Sequence, residues 1–227
     1  MAQYQINGVT LEVPDHILND KIAAKMASGG YEALEAAGVQ ARVREGNRVM
    51  EFGSGVGYIA SLAAGITGGE NVVTVEANPD MIPVIRDNLD RNGHKAATLI
   101  HAAVTGLEDA EPTISFERKK SFWSARLAGM DSNPDAVVDV PMVQLHPLLA
   151  QYRPHVVIMD IEGAEAHLFD HKWPRHVRVV MMELHPKQYP DTVIKRIVDC
   201  MSASGLTYDP GPSRGRILGF RRIRHAE

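Results

Sequence analysis

A short apolar strand that runs into three alternating glycines constrains the fold of this chain most. Residues 48–52 read Arg-Val-Met-Glu-Phe, and Gly53, Gly55 and Gly57 follow before a helix-forming run at 58–64. Glycines at such a turn let a ligand lie against bare backbone at the carboxyl end of a strand, where a Cβ would collide. The pattern predicts a parallel α/β sheet with a nucleotide-type pocket at this turn.

The acids around the glycines narrow the class of ligand. A second predicted strand ends in Glu76, 21 positions after Gly55, the spacing at which a βαβ unit returns a carboxylate to a ribose diol. Two classes of cofactor fit this spacing: a dinucleotide, because Gly55, Gly57 and Ala60 satisfy the dinucleotide fingerprint, and S-adenosylmethionine. Glu51 favours S-adenosylmethionine, because an acid before the first glycine suits its cationic amine and would repel the pyrophosphate of a dinucleotide.

Strands and helices alternate along most of the chain, which predicts a doubly wound, mostly parallel seven-stranded sheet. Beyond the strands at 48–52 and 71–76, strands are predicted at 97–102, 155–160, 177–184, 206–208 and 216–223. Helices are predicted at 58–64, 79–92, 163–169 and 191–204. We expect a single domain over residues 1–227, because no linker divides these elements.

Two regions depart from this alternation. Residues 1–46 begin with an Asn-Gly hairpin at 4–13 and continue with helices at 20–26 and 31–41, so they are interpreted as an N-terminal hairpin and helical lid. Residues 105–145 break the alternation and are interpreted as a β-hairpin insertion near the site. Residues 47–227 then form the cofactor-binding core around that insertion.

Composition excludes several classes of protein. The chain has 227 residues, 44% of them hydrophobic, which suffices for one such domain and leaves no room for a separate substrate domain. The net charge is −4 and the basic residues are scattered, so no nucleic-acid partner is predicted. Cys200 is the only cysteine, which excludes a disulfide framework. The start lacks an export signal and no 18-residue apolar run occurs, so cytoplasmic location without a membrane span is expected.

The basic residues cluster in one place, the C-terminal tail of the chain. Its arginines are Arg214, Arg216, Arg221, Arg222 and Arg224. They alternate with apolar residues, as expected for the solvated face of a strand.

Several runs then resemble one family when they are taken together. These runs are residues 49–57, 75–79, Asn88 with Asn92-Gly93, 102–104, Met-Asp-Ile-Glu-Gly-Ala-Glu at 159–165 and Glu-Leu-His at 183–185. Over roughly residues 20–190 the chain resembles the FkbM-type methyltransferases of the class I superfamily. The resemblance implies S-adenosylmethionine as cofactor and O-methylation of a hydroxyl on a small molecule, such as a sugar, glycolipid or natural product. The chain departs from the family in Val-Glu-Ala at 75–77 and Phe-Gly-Ser at 52–54.

This resemblance assigns the site residues. The expected cofactor-binding residues are Glu51, Gly53, Ser54, Gly55, Gly57, Tyr58, Glu76, Ala77, Ala102, Ala103 and Asp160. Removal of a hydroxyl proton needs a carboxylate or an imidazole near the methyl group, and Asp160, His185 and Glu183 are the catalytic candidates. Helix capping is the alternative role for Asp160, and fixing a loop is the alternative for His185.

Other candidates lie nearby. Glu162 and Glu165 are interpreted as partners of a helix dipole or as organisers of their loop. Their oxygens, with those of the catalytic candidates, are of the kind that Mg²⁺ prefers, but no metal is predicted. Tyr31-Glu32 and Phe122-Trp123 are further candidates for contact with the cofactor or the acceptor.

Two alternatives to an O-methyltransferase stay open. A single-domain NAD(P)-dependent oxidoreductase is disfavoured, because the Tyr-x-x-x-Lys pair of the short-chain enzymes is missing, with Val156 four positions after Tyr152. A non-catalytic module that retains the cofactor fold is the second. The identity of the acceptor and the oligomeric state are left open by the sequence.

Overall fold

The computed structural model describes residues 1–107, 111–117, 126–127 and 133–223. The strands are β1 (Ala2–Ile6), β2 (Val9–Val13), β3 (Val49–Phe52), β4 (Val72–Glu76), β5 (Thr98–His101), β6 (Ala103–Thr105), β7 (Thr113–Glu117), β8 (Arg126–Leu127), β9 (Val137–Gln144), β10 (Val156–Met159), β11 (Val179–Glu183), β12 (Leu206–Tyr208) and β13 (Ile217–Arg222). The α-helices are α1 (Asp20–Ala27), α2 (Ala33–Arg42), α3 (Tyr58–Thr67), α4 (Ile82–Arg91), α5 (Leu145–Tyr152) and α6 (Asp191–Ala203).

The central sheet has seven strands in the order β12-β13-β11-β10-β3-β4-β5. The five strands from β11 to β5 are parallel, whereas β13 runs antiparallel to both of its neighbours. The predicted doubly wound, mostly parallel sheet is therefore confirmed. The chain adds β4 and β5 on one side of β3 and then returns to add β10 and β11 on the other side. Open α/β sheets bind ligands at such a switch point, here between β3 and β10.

Both faces of the sheet are buried, because side chains alternate along each strand. Val49, Ile158 and Met181 belong to one apolar cluster, together with residues of α1, α2, α3 and α4. Met50 and Met159 belong to the other cluster, which includes residues of α5 and α6. None of the helices in the described part of the chain is long and apolar enough to cross a membrane.

The N-terminal hairpin is fixed to the core by two asparagines of the family-like runs. Asn7 and Gly8 have φ values of 48° and 81°, as a tight hairpin turn requires. Asn88 Oδ1 accepts the Glu12 amide at 2.8 Å, and Asn92 Oδ1 accepts the Thr10 amide at 2.9 Å. These asparagines of α4 therefore hold the hairpin against the core.

The structure corrects the prediction of an α-helix over 163–169. Only a short 3-10 helix, Ala164–His167, forms there. Glu162 and Gly163 both have positive φ, 51° and 104°, so the chain leaves the right-handed helical path before an α-helix can begin. Gly163 N–H instead donates to the side chain of Glu165 at 2.9 Å.

The helix α5 has no counterpart in the sequence prediction. It follows β9 directly, and Pro147 lies in its first turn, where the missing N–H would have no helical partner anyway. A proline at this position hides the start of a helix from pattern analysis.

The insertion is more elaborate than the predicted hairpin. β7 and β9 form the antiparallel pair, as expected, but they belong to a four-stranded sheet in the order β6-β9-β7-β8. The last residues of β9 pair in parallel with Ala103–Thr105, which directly follow β5. The insertion is thus joined to the core beside the pocket. Phe122 and Trp123, proposed above as acceptor contacts, lie outside the described residues.

Candidate active site

A pocket opens at the edge where the parallel strands end. It encloses about 760 Å³, the part open to solvent included. Its lining combines apolar and glycine positions with four carboxylates. The carboxylates belong to Glu32, Glu76, Asp160 and Glu162, and the other lining residues are Tyr31, Phe52, Gly53, Gly55, Val75, Ala77, Ala102, Ala103, Val104, Phe116, Ile161 and Ala164. Mostly apolar walls with a few convergent polar groups are typical of small-molecule sites.

The glycine turn forms the floor of this pocket. Gly53 has φ of 84°, and a Cβ built on it would lie 1.7 Å from the carbonyl oxygen of Asp160. The two strand ends can approach this closely only because residue 53 is glycine. The structure thus requires glycine here for the packing of the strand ends, and the predicted contact of Gly53 with a cofactor stays a prediction.

Glu76 holds the turn from the neighbouring strand. Its Oε2 accepts the amides of Ser54 and Gly55 at 2.9 and 3.1 Å, and its Oε1 accepts the amide of Asn78 at 2.8 Å. Burial raises the pKa of this carboxyl, and the three backbone donors oppose that rise. A carboxylate offers about four lone-pair sites, so Glu76 can still accept hydrogen bonds from a ligand in the pocket.

Glu51 lies behind the turn and does not line the pocket. It is 2% exposed and accepts hydrogen bonds from the hydroxyls of Ser54 and Thr74. Burial raises its pKa to about 7, while these two hydrogen bonds act in the opposite direction. The carboxyl thus supports the turn from beneath, and its predicted contact with a cofactor amine stays a prediction.

The raised pKa of Glu51 predicts a pH dependence of stability. Between its ordinary pKa of 4.5 and about 7 the folded state binds the proton and the unfolded state does not, so stability falls as pH rises through this window. From pH 5 to pH 8, we expect this group to lower the free energy of unfolding by about 2 kcal/mol.

Urea titrations of the native protein and of Glu51→Gln at both pH values measure this effect. Glu51→Gln should lose less stability than the native protein between pH 5 and pH 8. Equal losses in the two proteins would contradict the raised pKa.

Asp160 follows β10 and faces the pocket beside the glycine turn. Its Oδ1 atom is buried and has no hydrogen-bond partner within the described residues. Burial raises the pKa of this carboxyl well above its usual range; the Glu183 charge adds to the rise and a positive His185 opposes it. A buried acceptor without a donor is uncommon in proteins, so this oxygen is available to accept a hydrogen bond from a water or a ligand in the pocket.

His185 lies behind Asp160 and is held by a buried carboxylate. Its Nδ1 is 2.8 Å from Oε1 of Glu165, which is fully buried and also accepts the Tyr189 hydroxyl at 2.7 Å. Its Nε2 lies 3.5 Å from Oδ1 of Asp160 and 3.4 Å from Oε2 of Glu162. Burial lowers the pKa of His185, but the hydrogen bond to Glu165 and the three nearby carboxylates outweigh it and raise this pKa to about 9.

The remaining predicted residues are placed as follows. Ala77, Ala102 and Ala103 line the pocket, and their predicted contact with the cofactor stays a prediction. Ser54, Gly57 and Tyr58 are buried behind its wall, with the Tyr58 hydroxyl accepting a hydrogen bond from Asn7. Glu183 does not line the pocket and pairs with Arg216. Phe116 and Tyr189 carried no sequence signal for this site.

The acids at this edge could also hold a divalent cation. Asp160, Glu162 and His185 place one ligand atom each within 4.8 Å of one another, and so do Glu35, Asp160 and Glu183. Carboxylate oxygens with one imidazole suit several divalent metals. The sequence prediction of no metal stays a prediction.

Comparisons with known proteins give one family match over most of the chain. The model of the methyltransferase FkbM domain matches residues 51–208, more than half of the 227 residues.

Curated relatives match a shorter part. Protein-L-isoaspartate O-methyltransferases from Methanococcoides burtonii and Methanocella arvoryzae are 40% identical over 62 residues and 38% identical over 72 residues. These matches cover 26% and 31% of this chain, and 30% and 38% of those proteins. The chain thus spans about a third of the length of the curated relatives it matches.

Solved structures resemble the whole chain at low identity. Trm5b from Pyrococcus abyssi has a TM-score of 0.50 and 13% identity, covering 96% of this chain and 55% of that one. Precorrin-6y C5,15-methyltransferase from Geobacter metallireducens GS-15 has a TM-score of 0.48 and 14% identity, covering 94% and 93%. The likeness to Trm5b shows a shared fold.

Proposed function

The chain belongs to the methyltransferase FkbM family, whose cofactor is S-adenosylmethionine, and from this premise we propose that it methylates a hydroxyl oxygen of a small molecule. The observation that carries the proposal is the buried Asp160 oxygen without a hydrogen-bond partner beside the glycine turn. A hydroxyl acceptor would donate to this oxygen and lose its proton there. The alternatives of an oxidoreductase and of a non-catalytic module lack such an explanation for Asp160.

The pocket residues fit the proposed cofactor. Bare backbone at Gly53 and Gly55 leaves room for a ligand, and Glu76, which accepts three backbone amides, keeps about one lone-pair site for a ribose hydroxyl. The partly exposed apolar side chains of Ala77 and Ile161 offer a surface for the adenine ring. When bound, the cofactor supplies an electrophilic methyl group on a positively charged sulfur, which the surrounding carboxylates would stabilise.

The electrostatics of the pocket favour a neutral acceptor over a carboxylate. Four acids line it, and Glu35 and Glu183 bring ligand-type oxygens close to Asp160. A carboxylate acceptor, such as the one that the name of the isoaspartate relatives implies, would meet like charges in a partly buried site. A hydroxyl would instead find acceptors for its proton.

Asp160 is the proposed proton acceptor, and His185 is the positioning residue behind it. At neutral pH a pKa of about 9 keeps His185 protonated, and an imidazolium has no free lone pair to accept a proton. Its positive charge 3.5 Å away favours the ionised form of Asp160. Glu165 fixes the imidazole through Nδ1, so Nε2 points to the carboxylates.

Calorimetry with S-adenosylhomocysteine tests the cofactor assignment. We expect saturable binding by the native protein and none with NAD or NADP. Glu76→Ala should bind S-adenosylhomocysteine about thirty- to a hundredfold more weakly, because charge-assisted hydrogen bonds to the ribose are lost. Glu70→Ala is the matched control, since this exposed carboxylate lies just before the opposite end of the same strand. Normal binding by Glu76→Ala, or a response to NAD alone, would contradict the assignment.

Because Glu76 also holds the glycine turn, the unfolding of both variants should be measured without cofactor. If Glu76→Ala loses as much free energy of unfolding as it loses free energy of binding, Glu76 has a structural role only.

The acceptor is identified by transfer of a labelled methyl group to the small molecules of a cell extract, followed by mass spectrometry of the product. Label that appears only on protein would overturn the small-molecule proposal.

A further inference from the structure

The opposite edge of the sheet, where the parallel strands begin, carries a second concave surface. Six arginines line it, and none of its described lining residues is acidic. These are Arg42, Arg44, Arg175, Arg178, Arg221 and Arg222, and we call the surface the arginine pocket. It lies on a chain whose net charge is −4, so its positive charge is local.

The topology explains why the arginines converge from separate segments. Arg42 ends α2, and Arg178 directly precedes β11. β13 runs antiparallel to β11, so its last residues return to the edge where β11 begins, and Arg221 pairs with Val179 in the register. Arg221 and Arg222, two of the tail arginines that were predicted to lie on a solvated strand face, therefore lie beside arginines from distant parts of the chain.

Most of this positive charge is not neutralised. Arg222 donates to the carbonyls of Val177, Ser204 and Pro174, and Arg44 donates to carbonyls at the end of α2. These carbonyl partners orient the guanidinium groups without cancelling their charge. Within the described residues, Arg42 is the one of the six that pairs with a carboxylate, that of Asp209.

The other three arginines are exposed. Arg175, Arg178 and Arg221 make no side-chain hydrogen bond or ion pair within residues 1–107, 111–117, 126–127 and 133–223. The positive charge of this region also lowers the pKa values of two histidines. Burial lowers the pKa of His155, and the charges of Arg178 and Arg48 lower it further. The pKa of His176 is lowered by burial and by Arg153.

We propose that the arginine pocket binds a small multivalent phosphate compound, with the charge of a pyrophosphate or triphosphate group. Guanidinium groups bind phosphate oxygens through paired N–H donors, and two or three free ones can share a single anion. The concave shape and the origin of the cluster at one sheet edge favour a compact anion over an extended nucleic acid. This site is separate from the pocket at the other edge, so it does not depend on the proposed function.

Calorimetry of the full chain with inorganic triphosphate tests the proposal at physiological salt. We expect saturable binding that weakens at least tenfold in Arg178→Gln and in Arg221→Gln. Both side chains are exposed and make no hydrogen bond or ion pair with the residues that the structure describes, so both variants should keep the native unfolding midpoint. The control is Arg91→Gln, because Arg91 pairs with Glu12 and does not line the arginine pocket, so this variant should leave triphosphate affinity unchanged.

Three results would overturn the proposal. One is a calorimetric titration in which millimolar triphosphate or pyrophosphate gives no saturable heat of binding. Another is an equal loss of affinity in Arg91→Gln and Arg178→Gln, which would indicate general charge attraction. The last is a single-stranded oligonucleotide that binds more tightly than triphosphate and loses affinity in Arg178→Gln, which would assign the surface to nucleic acid. Affinity for S-adenosylhomocysteine should be the same in all these variants.

Discussion

Replacing Gly53 with alanine should abolish measurable cofactor binding and destabilise the domain by about 3–5 kcal/mol. A Cβ at this position would lie 1.7 Å from the carbonyl oxygen of Asp160, and the φ of 84° is itself unfavourable for alanine. The Asp160 amide donates to the Phe52 carbonyl at 2.9 Å, so the two strand ends cannot separate without losing that bond. The floor of the pocket and Asp160 beside it should therefore move together.

Two other glycines separate the causes of this effect. Gly46 has a φ of 75° with open space around its Cβ position. Gly46→Ala should therefore lower the free energy of unfolding by about 1 kcal/mol, the effect of an unfavourable φ alone. Gly65 lies in α3 with open space and no positive φ, and Gly65→Ala should be neutral or stabilising. Urea unfolding and S-adenosylhomocysteine calorimetry measure all three variants. A Gly53→Ala protein that binds S-adenosylhomocysteine as tightly as Gly65→Ala would show that the strand ends are not packed as described.

Asp160→Asn should reduce turnover by about a hundredfold or more and leave S-adenosylhomocysteine affinity within a few fold. Asparagine keeps the shape of the side chain but cannot accept the hydroxyl proton. S-adenosylhomocysteine is the suitable ligand for the binding measurement because it lacks the sulfonium charge that Asp160 would attract. Turnover is measured with the acceptor identified by methyl labelling.

Glu162→Gln is the matched control, because both carboxylates lie at similar distances from His185 Nε2, 3.4 and 3.5 Å. Its turnover should change only a few fold. His185→Gln adds a pH test: without the positive imidazole the pKa of Asp160 should rise, so the acidic limb of the rate profile should move to higher pH. Near-normal turnover in Asp160→Asn, combined with loss of that limb in His185→Gln, would assign the proton to His185.

The core of the fold could be predicted from the sequence because its signals are local. Glycines at alternate positions, apolar strand runs and strand-terminal acids each lie within a few residues, and they place Gly53, Glu76 and Asp160 correctly at one edge. The α-helix predicted over 163–169 was wrong because two left-handed residues, Glu162 and Gly163, precede it. Propensity patterns do not reveal a positive φ at a glutamate.

The rest of the site depends on contacts between residues far apart in the chain. Glu165 carries a signal of its own in the family-like run, but its role follows from His185 and Tyr189, 20 and 24 positions later. The position of Glu51 beneath the glycine turn depends on the hydroxyl of Thr74 in the next strand. The arginine pocket could not be inferred at all, because its members are close only once β13 has returned along β11.

The packing of α2 has a consequence for the order of events during synthesis. Gly38 of this helix lies against Met181 of β11, and Arg42 at its end pairs with Asp209, 167 residues further along the chain. At ribosomal rates of about 5–20 residues per second, roughly ten to thirty seconds pass between the emergence of these two partners. Until β11 has emerged, the face of α2 that carries Gly38 has no strand to cover it. We therefore expect the nascent chain to complete its fold only after the last strands leave the ribosome, with this face of α2 exposed to chaperones until β11 is in place.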